Sequence, residues 1–120
     1  RPVTNTPLQA LVLLNDVQYV EAARAFGQRL ALREEKEDTA KVRWGVLEAL
    51  SRPATEKELA VLTAALQRER ARYARDAAAA QALVTVGEAP RERRLPAAEH
   101  AAWTQVAATL LNLSEVVTKN

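Results

Sequence analysis

Apolar residues recur along this chain with the period of an α-helix, and this pattern constrains the fold more than any other feature. Tyr19, Ala23, Phe26 and Leu30 lie at i, i+4, i+7 and i+11, which places them on one helix face. Alanine occupies 25 of the 120 positions and glycine only three, a composition that favours helix over strand. Because each stripe is apolar on one side only, the helices must bury their stripes against one another. The sequence predicts an all-α fold: one domain over residues 1–120, a compact bundle of five or six amphipathic helices without a sheet.

Cap residues predict where the helices begin and end. The strongest local signal is the capping box from Thr55 to Glu58, which begins a helix of some 20 residues. Asp38 or Thr39 is expected to cap the preceding helix, and Asp76 the following one, unless these last two helices are continuous. The predicted helices are 7–14, 17–33, 39–51, 56–75, 77–86 and 96–112, with a last short turn at 115–118 after Ser114.

The composition removes several classes of chemistry. The chain has no cysteine, which excludes a disulfide framework, a thiolate metal site and a cysteine nucleophile. Three scattered glycines exclude a phosphate-binding loop, and no apolar run is long enough to span a membrane. The one histidine, His100, is expected on the surface. The sequence predicts no catalytic residue, no metal ligand and no cofactor in this stretch.

A set of polar residues surrounds the first predicted helix. Between its members lies the apolar stretch from Leu11 to Leu14. They are interpreted first as a buried network that ties the ends of this helix to other elements, and second as part of a site completed by upstream sequence. The set comprises Arg1, Asn5, Gln9, Asn15 and Asp16.

The excess positive charge falls between residues 68 and 94, although the net charge is only +2. A solvated surface is the favoured interpretation, and a small phosphate-contacting patch is the alternative. Since Tyr73 is the one aromatic residue nearby, nucleic-acid binding is not expected. The candidate patch comprises Arg68, Arg72, Arg75, Arg91, Arg93 and Arg94.

Two tryptophans and two glycines inside helices are the remaining residues for which the sequence suggests a specific role. Trp44 and Trp103 are interpreted as core anchors first and as contact residues for a partner second. Gly27 and Gly45 lie inside predicted helices, where glycine costs about 1 kcal/mol relative to alanine. Close helix contact or a kink would account for each of them.

The opening run from Arg1 to Asp16, RPVTNTPLQALVLLND, resembles the signature near the C-terminal end of a planctomycete-type domain of unknown function, number fifteen fifty-three. Val17 stands where that family usually has proline, and Ser114 where aspartate is frequent. Further segments that follow the family pattern are 20–24, 50–55, 58–59, 86–88, 101–103 and 110–115.

The resemblance implies a context that composition does not provide. It implies that the chain is the C-terminal part of a large exported protein. This protein would lie in the periplasm or at the cell surface and carry a c-type haem in another part of its sequence. Because the chain opens with Arg1 and has no methionine, we expect it to be a fragment of such a protein. The family has no established activity, and its association with polysaccharide use is one of neighbourhood.

Three functions follow as hypotheses. The leading one is a non-enzymatic helical module that docks against the upstream region of its parent protein or against another protein. The second is part of an enzyme site, in which the polar set around the first helix is completed by upstream residues. The third is a weak polyanion binder that uses the arginine patch.

Overall fold

The computed structural model describes residues 16–119, and the side chains of residues 17–114. The described part is all-α and contains no strand, as predicted. Its helices are α1 (Asp16–Ala31), α2 (Asp38–Leu50), α3 (Glu56–Arg75), α4 (Ala77–Val84) and α5 (Ala97–Lys119). The predicted helix at 7–14 lies outside the described residues. No helix in this part of the chain has the length and apolarity needed to cross a bilayer.

The long C-terminal helix α5 is the centre of the bundle, because α1, α2, α3 and α4 all pack against it. Trp103 and Leu110 on α5 are fully buried, and so are Leu30 of α1 and Leu66 of α3. Four apolar residues of α5 that are spaced as one helix face are all buried: Ala102, Trp103, Val106 and Leu110. The predicted stripes therefore do meet in one core around this helix.

Two predicted caps are confirmed by their hydrogen bonds. The Thr55 hydroxyl accepts from the Glu58 N–H at 3.1 Å, and the Glu58 carboxylate accepts from the Thr55 N–H at 2.9 Å. Arg52 and this N–H lower the pKa of Glu58 to about 2. Asp76 accepts from the Ala79 N–H at 3.0 Å, so α3 and α4 are separate helices and the continuous alternative is wrong.

Two other boundary predictions are wrong. Neither Asp38 nor Thr39 caps α2: Glu37 occupies the cap position without a side-chain bond, because the Asp38 carboxylate is bound to Arg70 instead. Ser114 starts no new turn, and α5 runs through to Lys119. Between Asn112 and Lys119 there is no glycine or proline to stop the helix.

Gly27 allows α1 to cross α5 at contact distance. A Cβ atom placed on Gly27 would lie 2.8 Å from the Thr104 Cα and 2.9 Å from the Trp103 carbonyl carbon. On Gly45 it would lie 3.0 Å from methyl groups of Leu30 and Leu110. The close-contact explanation of both glycines is therefore confirmed, with backbone as the neighbour at Gly27 and side chains at Gly45.

Candidate functional site

The two tryptophans differ in their environments. Trp103 is completely buried, so its interpretation as a core anchor is confirmed. Trp44 is only half-buried: its side chain packs against the core next to Phe26, with ring centroids 6.5 Å apart. The Arg33 guanidinium carbon lies 4.1 Å from its centroid, and that of Arg29 lies 5.4 Å away. Trp44 therefore presents an indole ring at the surface, held by cation–π contacts.

Exposed leucines flank this indole on both sides. Leu32 is 50% exposed and Leu47 is 51% exposed. Trp44 also lines two shallow depressions, of about 450 Å³ on the Leu32 side and about 330 Å³ on the Leu47 side. We refer to this area as the Trp44 surface. It consists of Arg29, Leu32, Arg33, Trp44 and Leu47.

The charges of the Trp44 surface are nearly balanced. Arg33 donates two hydrogen bonds to Glu35, at 2.9 and 2.8 Å, and this contact lowers the pKa of Glu35. Arg29 lies 3.6 Å from Glu48, and both side chains are largely exposed. Exposed pairs of this kind contribute little to stability. Their arginines therefore remain available for contacts with a partner.

A second apolar surface lies between α2, α3 and α5. It is a groove of about 520 Å³, in which Val61 is 57% exposed and Leu113 is 37% exposed. We refer to it as the apolar groove. Its aliphatic lining is Val46, Leu50, Val61, Leu62, Leu110 and Leu113.

His100 is fully buried, so the prediction that it lies on the surface is wrong. Arg91 donates from Nη1 to His100 Nδ1 at 2.9 Å, and His100 Nε2 lies 3.0 Å from the Arg24 carbonyl oxygen. Since a guanidinium only donates, Nδ1 must be the acceptor and Nε2 must carry the hydrogen. Burial, aided by the charges of Arg91 and Arg24, lowers the pKa of His100.

Arg24, also buried, holds the loop that follows α4. Its guanidinium donates to the carbonyl oxygens of Val86 and Ala89, while its Nε is buried and has no partner in the part of the chain that the structure describes. Glu21, one turn earlier on α1, accepts from the N–H groups of Glu88 and Ala89. These bonds fix the loop against α1 beside Gly87, whose φ of 84° suits glycine.

Arg70 joins three helices through two carboxylates. It donates to Asp38 Oδ1 at 2.9 Å and to Glu99 Oε1 at 3.0 Å, and Glu99 also accepts from the Trp103 indole N–H at 3.0 Å. Arg70 lowers the pKa of Asp38, and the two carboxylates raise the pKa of Arg70. The carboxylates are thus used to position α2, α3 and α5.

The structure separates the predicted arginine patch into two groups. Arg68, Arg72 and Arg75 share one exposed stretch of α3, where Arg72 pairs with Glu69 at 3.1 Å. Arg91 points inward to His100, and Arg94 pairs with Glu92 at 3.0 Å. Arg93 is exposed on the same loop. Polyanion binding stays a prediction, with the α3 group as the part of the patch that shares one face.

The predicted polar set falls outside the side chains that the structure describes. Arg1, Asn5, Gln9 and Asn15 lie outside the described residues, as does the side chain of Asp16. Their role in a network or a shared site stays a prediction. Sequence reasoning missed the roles of Arg24, Arg70 and Arg91, because an arginine that bonds to a distant loop leaves no local pattern.

The described residues form two surfaces suited to contact with another protein segment, the Trp44 surface and the apolar groove. Among them, no three histidine, aspartate or glutamate side chains group closely enough to hold a metal ion. The fold and these surfaces define an all-α domain with a Trp-Arg surface and an apolar groove.

Residues 1–66 match the family PSD1, a protein of unknown function (DUF1553). The match covers more than half of the chain, and the chain belongs to this family. The resemblance identified from residues 1–16 is thereby confirmed at the level of the family. No curated protein and no solved structure matches the chain.

Proposed function

We propose that this chain is a non-enzymatic docking module, which binds the remaining part of a larger exported bacterial protein through the Trp44 surface. The observation that carries the proposal is the half-buried Trp44 ring with arginines stacked on it and exposed leucines beside it. Tryptophan and arginine are the residues most enriched at the energetic centres of protein interfaces. A partner that covers this surface would bury Leu32 and Leu47 as well.

The Trp44 surface is also preorganised. Phe26 supports one side of the indole and the Arg33 guanidinium lies close to the ring, so the side chain has little rotamer freedom left to lose on binding. The ion pairs around it place polar groups at its edge, as is typical of an interface rim. Rigidity at the centre and polarity at the rim both support binding of a folded protein surface.

The family resemblance supports a location for this function. We propose that the parent protein is periplasmic or displayed at the cell surface. If it carries a c-type haem, the attachment site belongs to another part of that protein, because this chain has no cysteine to bond to haem.

The docking proposal is tested by producing this chain and the remainder of its parent protein separately and measuring their affinity by calorimetry. Leu32→Asp and Leu47→Asp place a carboxylate on the Trp44 surface without touching the core. We expect each to weaken binding tenfold or more, because an interface centre tolerates no unpaired charge.

Ala71→Asp is the matched control, since Ala71 is exposed on α3 and the charge change is the same. Its affinity should stay within twofold of the unaltered chain. The proposal is wrong if the two halves do not associate, or if all three variants bind equally well.

A further inference from the structure

The apolar groove is open over an area that a folded protein would normally cover. Val61 and Leu113 face it with 57% and 37% of their surface exposed, and Leu50, Leu62 and Leu110 form its floor. Leaving such aliphatic side chains in water forfeits about 25 cal/mol for each Å² of apolar surface. The groove follows α3 from Thr55 to Leu62, which is about 10 Å at the rise of an α-helix.

The start of α1 lies close to this groove. Tyr19, in the first turn of α1, donates from its hydroxyl to the Ala108 carbonyl oxygen on α5 at 3.0 Å. Thr109, Leu110 and Leu113, the residues of α5 that line the groove, occupy the next turn and a half of the same helix. The start of α1 therefore lies within one or two turns of the groove, measured along α5.

Asn112 lies on α5 near both of these places. It lies one turn beyond Ala108 on α5 and next to Leu113. Its Oδ1 atom is buried and has no hydrogen-bond partner among the described residues. A buried acceptor without a partner is costly, so a donor that reached Asn112 Oδ1 would stabilise the fold.

We propose that residues 7–14 of this chain cover the apolar groove. Leu8, Leu11 and Val12 are spaced as the apolar stripe of a helix that starts at Thr6-Pro7. Eight helical residues span about 12 Å, which matches the groove, and so short a helix is not stable in water unless its apolar face is packed.

Covalent connection favours this occupant over a separate molecule. A segment joined to α1 by one or two residues is present at the groove at an effective concentration in the millimolar range. The Asn and Gln side chains at positions 5, 9 and 15 carry amide N–H groups, any of which could donate to the Oδ1 of Asn112 if the segment took this path. The segment would bury Val61 and Leu113 and supply the donor that Asn112 lacks.

The first test measures the reactivity of a single introduced thiol in the whole chain. The chain has no cysteine, so Val61→Cys and Leu47→Cys each give one reporter. Both positions are similarly exposed in the described part, at 57% and 51%. If residues 7–14 cover the groove, the thiol at position 61 should react with a disulfide reagent at least tenfold more slowly than that at position 47. Equal rates would overturn the proposal.

The second test identifies the occupant. Leu11→Cys combined with Val61→Cys should form an intramolecular disulfide under mild oxidation, at least tenfold faster than Leu11→Cys with Leu32→Cys at the far end of α1. Equal rates, or disulfides that link two chains, would overturn the proposal, and the latter result would place a second copy in the groove. Circular dichroism shows that each variant is folded, and the single-thiol test stands by itself if the pair is not. Leu47 and Leu32 belong to the Trp44 surface, but they serve here only as exposed reference positions in the chain by itself. Both tests are made without the remainder of the parent protein, so the docking function can fail or hold independently.

Discussion

The two halves of α5 are buried by different chemistry, although they belong to one continuous helix. Around His100 and Thr104 the contacts are polar: an imidazole between Arg91 and the Arg24 carbonyl, and a threonine hydroxyl that donates to the His100 carbonyl at 2.7 Å. From Val106 to Leu113 the core contacts are mainly aliphatic. The polar exceptions described above are the Tyr19 bond to the Ala108 carbonyl and the buried amide oxygen of Asn112. Hydrogen bonds need defined partners at defined angles, whereas aliphatic contacts need only volume and shape.

This difference predicts where each half is vulnerable. The polar half should be sensitive to proton concentration and to the exact backbone approach of α1. The aliphatic half should be sensitive to lost volume and indifferent to pH. Three experiments separate these responses.

Removing volume from the aliphatic half should have the largest effect. Leu110 is fully buried and packs within reach of Gly45, so its site has little room to collapse. We expect Leu110→Ala to lower the free energy of unfolding by about 2–5 kcal/mol. Urea unfolding followed by circular dichroism at pH 7 and at pH 8 measures this loss, which should be equal at the two values.

Leu47→Ala is the control for this experiment, because Leu47 is half exposed. It should change the stability of the isolated chain by no more than about 0.5 kcal/mol. Equal losses for the two variants would mean that Leu110 is not part of a tightly packed region.

The next largest effect concerns the approach of α1 to the polar half. In Gly27→Ala the new methyl group would lie 2.8 Å from backbone atoms of Thr104, which cannot move without shifting α5. We expect a loss of about 1–3 kcal/mol, even though alanine favours helix by about 1 kcal/mol over glycine.

Gly45→Ala provides the comparison within the aliphatic half. There the methyl group meets leucine side chains at 3.0 Å, and these can shift by a few tenths of an ångström. The gain in helix propensity should offset most of the strain, so Gly45→Ala should be nearly as stable as the unaltered chain. The distinction between the two halves fails if Gly27→Ala is the more stable variant in thermal unfolding.

The sequence predicted the aliphatic half better than the polar half. Val106 and Leu110 follow a one-sided apolar stripe, and one-sided stripes are what periodicity detects. His100 was misplaced because four successive residues of α5, from Ala101 to Thr104, are all buried. A helix packed on nearly every side has no polar face, and the small alanines around His100 were the available signal.

The helix boundaries show the same limit of prediction from local sequence. The capping box at Thr55 and the cap at Asp76 are local, so the sequence contains all the information needed. Asp38 failed as a cap because Arg70, 32 residues away, binds its carboxylate. The half-exposed position of Trp44 likewise depends on where α1 and α2 cross, which no local pattern records.

The smallest effect is a pH dependence that belongs to the polar half alone. His100 has a pKa below its ordinary value of 6.5 in the folded chain, because burial disfavours the imidazolium. Protonation would also place a hydrogen on Nδ1, facing the N–H of Arg91 that now donates to it. As pH falls below about 6.5, the unfolded chain takes up a proton that the folded chain excludes. The free energy of unfolding should therefore be independent of His100 above this pH. Below it, the free energy of unfolding should decrease by at most about 1.4 kcal/mol per pH unit, until the pKa of His100 in the folded chain is reached.

Urea unfolding between pH 7.5 and pH 5 measures this slope. The paired carboxylates do not obscure it, because the pKa values of Asp38 and Glu58 are lowered and these groups lose their stabilising charge only in more acid solution. His100→Gln removes the only histidine of the chain and keeps a side chain that can both donate and accept. Its stability at pH 7.5 should be lower than that of the unaltered chain, and the slope between pH 6.5 and pH 5 should disappear. If the slope persists in His100→Gln, another group is responsible, and the polar half of α5 is no more sensitive to protons than the aliphatic half.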